Sequence, residues 1–147
     1  MAGFAAGAVL MVMEVAWAAL FSADAPWRIS QMVAALSMGP DYSLQSPANV
    51  FNAGVVAIAL VTHYVLGVGF GLVLGFVIAG LHVETSVGTM QVIGAVFGAV
   101  LYLFNFFVVA SAFPWFVELR GWGTLIAHMI FGVAAALLYW KLARRPS

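Results

Sequence analysis

The stretch AGVVAIALVTHYVLGVGFGLVLGFVIAGL, residues 53–81, carries no Asp, Glu, Lys or Arg, and apart from Thr62, His63 and Tyr64 it offers no polar side chain on any face of a helix. A helix rises 1.5 Å per residue and about 20 residues cross the hydrocarbon core of a bilayer, so this segment is long enough to span one. In water it would have no polar face to present. Gly67, Gly71 and Gly75 recur every fourth residue, and Ala79 continues the row. Lipid supplies no hydrophobic drive between helices, and rows of small residues hold helices together there by letting backbones approach. The segment GVGFG at 67–71 imitates a dinucleotide-binding loop, but no strand precedes it, so its glycines read as packing.

Three further apolar runs, 2–21, 89–112 and 121–140, repeat the pattern. The 147 residues are 65% hydrophobic and 7% charged, with a mean hydropathy of +1.12, against about 25% charged residues in an average soluble domain. The expected fold is therefore all-α: one transmembrane domain over residues 1–147, a four-helix up-down-up-down bundle. The first run is not a signal peptide, because no Lys or Arg precedes it and it exceeds the usual apolar core of about 7–15 residues. Zero cysteines exclude disulfides, thiolate metal sites and cysteine nucleophiles. A formal net charge of zero offers nucleic acid no basic surface. The chain has no serine elbow, no HExxH helix and no phosphate-cradling loop, and the reading leans away from an enzyme.

Lys141, Arg144 and Arg145 follow the fourth run, whereas the connections at the other end hold only Arg28 and Arg120, with Asp24, Asp41 and Glu118. Positive charge stays cytoplasmic. Four spans then put both termini inside, and residues 82–88 form a short cytoplasmic turn. In the long outer connection Asp24 is a candidate N-cap, Pro26 falls in a first turn and Gly39-Pro40 forms a stop, predicting a short interfacial helix over about residues 25–38. Ile29, Met32, Val33 and Leu36 share one face of it, with Trp27, Ser30 and Gln31 on or near the other; a helical cap packed on the bundle's outer end is the alternative. Trp27, Tyr42, Trp115 and Trp122 sit where an aromatic belt belongs.

The polar side chains inside the runs are placed by spacing. Residues three, four, seven, eight or eleven apart share a helix face. Glu14 is seven from Gly7, His63 four from Gly67, Asn105 seven from Gly98 and eleven from Gly94, and His128 four from Gly132. All four belong to close-packing faces. They lie seven to ten residues below the outer ends of their runs, roughly 10–15 Å deep, and so at one level. A carboxylate in hydrocarbon is costly unless paired or protonated, and a histidine or asparagine opposite it would satisfy it.

Four readings of this level follow. It fixes helix register by hydrogen bonds, within an accessory or structural subunit that docks on other membrane subunits or on itself. It binds a first-row transition metal through Glu14, His63 and His128, a two-histidine, one-carboxylate set. It clamps haem b between His63 and His128. It carries protons in a small transporter acting as an oligomer. No cofactor at all is the expectation favoured over haem or metal, and the bilayer is the first partner.

From His63 onward the chain resembles small bacterial inner-membrane proteins of the YagU type, on VTHYVLGVGF (61–70), FPWFVELRGWGTLIAHMIFG (113–132) and the basic tail. Thr62-His63, Pro114-Trp115 and Ala127-His128 are the most specific elements. The resemblance implies a helical architecture and a bacterial inner-membrane address, and no defined enzyme class. Glu14 lies outside the part that carries it.

Overall fold

The computed structural model describes residues 2–21, 27–45, 47–81 and 86–143, and every regular element among them is helical. Helix α1 (Ala2–Phe21) is followed by α2 (Arg28–Met38), the short α3 (Pro40–Ser43), and the long α4 (Ala53–Leu81). Helix α5 (Val87–Leu103) runs on through a π-helical segment, Phe104–Val109, into a last turn, α6 (Ala110–Ala112). A 3₁₀ helix, Pro114–Leu119, leads into α7 (Trp122–Ala143).

The starts and stops have local causes. Asn52 Oδ1 accepts from the N–H groups of Gly54 and Val55 at 3.0 and 3.1 Å and so caps α4. Ser86 is extended and its hydroxyl oxygen accepts from Thr89 N at 3.1 Å, which opens α5 at Val87, two residues ahead of the spacing-based start at 89. Gly39 ends α2 with φ +83°, a conformation that disfavours any side chain, while its N–H still donates to Ala35 O. Pro40 then begins α3 rather than simply ending a helix. The expected cap of α2 at Asp24 and Pro26, most of the turn expected over 82–88 (residues 82–85) and the arginines of the tail lie outside the described residues.

Three helices are long and apolar enough to cross a membrane: Ala53–Leu81, Val87–Ala112 and Trp122–Ala143. Within their most apolar windows only 17%, 22% and 33% of residues are buried inside the molecule. Helices so apolar and so exposed are suited to a non-aqueous surrounding. Helix α1, 20 residues from Ala2 to Phe21, is apolar as well over Ala5–Ala18.

Packing follows the glycines. Helices α5 and α7 form the most extensive contact, α1 lies against both α7 and α4, and α2 rests on α4. A Cβ built on Gly94 would sit 2.5 Å from the Gly132 carbonyl oxygen, and one on Gly98 would overlap the His128 carbonyl. Gly7 brings α1 against α4, its Cβ position lying 3.7 Å from Gly67 Cα, and Gly75 faces the Tyr139 ring at 3.5 Å. Leu74, Ile78, Met90, Phe131 and Ala136 fill the core between these helices. Helices α4 and α5, by contrast, barely meet, and the assembly is left with an open seam between them.

Helix α2 departs from the simple interfacial reading. Met32, Ala34 and Ala35 are fully buried, and so is Gln31, which was expected on or near the polar face; its Nε2 donates to Pro47 O at 3.3 Å because the connection to α4 folds back over it. Ser37 and Thr62 hydroxyls bond at 2.6 Å, tying α2 to α4, and Trp115 Nε1 donates to Met32 O at 3.2 Å, tying it to the 3₁₀ helix. Arg28 and Glu118 add an exposed two-pronged ion pair at 3.0–3.2 Å. The segment is a packed lid.

Candidate functional site

Beneath this lid lies a cavity of about 410 Å³. Glu14 from α1, His63 from α4, Asn105 from the π segment and His128 from α7 all line it, together with Thr62, Ser37 and a wall of phenylalanine and aliphatic side chains. Leu66 and Phe104 line the cavity and are also exposed, at 40% and 45%, one on each side of the seam where α4 and α5 draw apart. Exposed lining residues thus stand on both of these apolar helices, and Ser37 of α2 is another.

The hydrogen bonds fix the state of its polar groups. His128 Nδ1 lies 2.9 Å from the Thr124 carbonyl, an acceptor, so Nδ1 carries the proton and Nε2 is free to accept. Asn105 Nδ2 donates to that Nε2 at 3.3 Å. The pair is enclosed by the Phe106 and Tyr102 rings, edge-on to the imidazole at 5.4 and 6.1 Å, and His128 is buried. Tyr102 OH in turn accepts from Gly121 N, which positions the start of α7. His63 uses Nε2 to donate to the Gly7 carbonyl at 3.2 Å.

The four polar residues thus share one cavity but not one network. Among the described residues the Glu14 carboxylate makes no direct hydrogen bond or ion pair to either histidine or to Asn105. His63 takes a backbone carbonyl seven residues, roughly 10 Å along α1, N-terminal to Glu14, where α1 and α4 approach closely at Gly7 and Gly67. Glu14 instead stands at a junction: it also lines two smaller cavities of about 100 Å³ each, one against α7 and one against α2 and α4. The first shares Trp17, Ile29 and Thr124 with a groove of about 520 Å³ beside Arg28, Glu118 and Arg120.

Among the described residues no three His, Cys, Asp or Glu side chains converge to hold a metal ion. Both ring nitrogens of His128 are engaged, so axial ligation of a haem there would require breaking one of those bonds, while His63 uses its Nε2 on Gly7.

Spacing did not reveal the π segment or the residue that holds it. Arg120 Nε donates to the Phe106 carbonyl at 2.7 Å while its guanidinium lies 4.4 Å from the centre of the Phe107 ring. Nor did it reveal that Trp17 packs on Gly123, where a Cβ would come within 2.7 Å of the indole. The density of phenylalanines around Asn105 (104, 106, 107, 113, 116) is the sequence signal that an aromatic wall surrounds it. Comparison with protein families, curated proteins and solved structures finds no match to this chain, and the site is interpreted from its own geometry.

Proposed function

We propose that the chain is an integral membrane protein of four spans that binds a lipophilic small molecule in the cavity beneath α2, taking it up from the lipid through the α4–α5 seam. The observation that carries this reading is an apolar cavity of about 410 Å³ with exposed lining residues, Leu66 and Phe104, on helices suited to lipid. That volume falls in the range of small-molecule sites, about 300–1,000 Å³, and the mixture of apolar wall with few polar groups is the usual composition of such sites. Helix α1, with 20 residues, serves as the fourth span. The basic tail supports a cytoplasmic side for both termini, and the YagU-type resemblance supports a bacterial inner membrane as the address.

This reading replaces that of an accessory subunit. The exposed faces of α4 and α5 suit lipid as well as protein and single out no partner, whereas the cavity is a specific feature. Neither transport nor catalysis is part of the proposal.

The test uses the whole protein in lipid nanodiscs and 1-butyl-4-ethylbenzene as probe. Saturable uptake above that of empty nanodiscs is expected, and Val109→Trp, which fills the cavity from the π segment, should remove it while leaving the unfolding temperature within a few degrees. Uptake that never saturates, or that Val109→Trp leaves unchanged, would overturn the proposal.

A further inference from the structure

Building on the reading of the cavity as a lipophile site, we infer that its ligand is a lipophilic amine, bound as the ammonium with its head on Glu14. The inference follows from an inventory of what the polar groups can still do. His63 spends its N–H on the Gly7 carbonyl, which leaves the neutral ring a lone pair on Nδ1. Asn105 spends an amide N–H on His128, and its Oδ1 makes no hydrogen bond among the described residues. The Glu14 carboxylate has no partner among them either. The Ser37 and Thr62 hydroxyls bond to each other, so only one hydroxyl proton remains, at the rim. His128 has both nitrogens engaged.

The cavity therefore offers three acceptors, one of them able to carry a full negative charge, against two donors, the second Asn105 N–H and one hydroxyl proton. A hydrocarbon guest would leave those acceptors unpaired in an apolar site, which is costly. An anionic guest would face the carboxylate. An ammonium brings N–H donors and the missing positive charge to Glu14, the one acceptor that carries a charge. The walls favour the same choice: Phe70, Phe104, Phe106, Phe113, Phe116 and Phe131 line the cavity, and aromatic faces attract organic cations. A bare inorganic cation would leave this aromatic volume empty, so the cation carries an apolar body.

Three probes of one shape separate the contributions: 4-butylbenzylamine, 4-butylbenzyl alcohol and 1-butyl-4-ethylbenzene, each titrated at neutral pH into wild-type protein in nanodiscs and corrected for empty discs. The amine is expected to bind about tenfold or more tightly than either neutral probe, as charge-assisted hydrogen bonds and ring contacts together imply. Glu14→Gln should bring the amine to the level of the alcohol. An alcohol equal to the amine would overturn the requirement for charge. A hydrocarbon equal to both would overturn the inference while leaving the lipophile site intact, and saturable binding of none would remove the site itself. If Glu14→Gln does not fold, the wild-type series still decides; if it folds and keeps the amine preference, Glu14 is not the counter-ion and the inference fails.

Discussion

Gly98 has no room for a side chain, because a Cβ there would overlap the His128 carbonyl, and the Gly132 position meets the Gly94 carbonyl in the same way. The obstacle in both cases is backbone, so relief requires α5 and α7 to part. Gly98→Ala is expected to destabilise the protein by about 1–3 kcal/mol, the usual cost of overpacking. Gly69 is the matched control: it is exposed with nothing within 4 Å of its Cβ position, and alanine's higher helix propensity, worth about 1 kcal/mol, should make Gly69→Ala neutral or stabilising. Thermal unfolding in one detergent measures both. His128→Leu should also cost about 1–3 kcal/mol, since it orphans Asn105 Nδ2 inside an apolar wall; Glu14→Gln in the empty protein should cost less, because no partner is lost. The reverse order would mean that Glu14 is paired. Four-residue spacing was enough to mark the glycine faces and to put Glu14, His63, Asn105 and His128 on them. It was not enough to choose partners, since His63 found a backbone carbonyl, an acceptor every residue supplies and no side-chain pattern reveals.

At the scale of elements, the π segment and the lid mark where periodicity ran out. Helical arithmetic assumes 3.6 residues per turn, and Asn105 is the second residue of a segment, Phe104–Val109, that turns more slowly. Such segments are frequent at functional sites, and this one brings Asn105, Phe104 and Val109 to the cavity. Arg120→Met removes the donor to the Phe106 carbonyl and the contact with Phe107, and is expected to destabilise by about 1–3 kcal/mol. By comparison, Glu118→Ala, which breaks only the exposed pair with Arg28, should cost under about 1 kcal/mol. Similar costs in the unfolding midpoints of the two variants would show that Arg120 does not hold the segment. The lid's apolar face was legible as Ile29, Met32, Val33 and Leu36; the burial of Gln31 was not, because it depends on a loop closing over the helix from residue 47. The Ser37–Thr62 contact supplies a test of the uptake route, as the native chain has no cysteine. A disulfide between Ser37→Cys and Thr62→Cys should leave the rate of probe uptake unchanged if uptake runs through the α4–α5 seam; slowed uptake, restored by reduction, would assign it to movement of the lid.

The whole molecule is organised by the solvent it avoids. The all-helical character and the long apolar spans were legible from composition alone, because a chain 65% hydrophobic and 7% charged has no way to cover such helices with its own surface. The cavity was not legible, since it results from one pair of helices failing to close while their neighbours pack through glycine, a balance set by the sum of contacts. Topology is tested by single cysteines: Ser147→Cys should react with an impermeant reagent only after the cells are opened, and Asn49→Cys should react in intact cells. The opposite pattern would invert the orientation, though not the cavity. The central claim is that a lipophile is taken up between α4 and α5, and photoaffinity mapping with a diazirine derivative of 4-butylbenzylamine in nanodiscs addresses it most directly. Adducts are predicted on Leu66, Phe70, Phe104 and Val109, and excess unlabelled amine should suppress them. Adducts spread over the outward faces, on Val65, Leu72, Phe76 and Val96, and insensitive to competitor, would contradict the account.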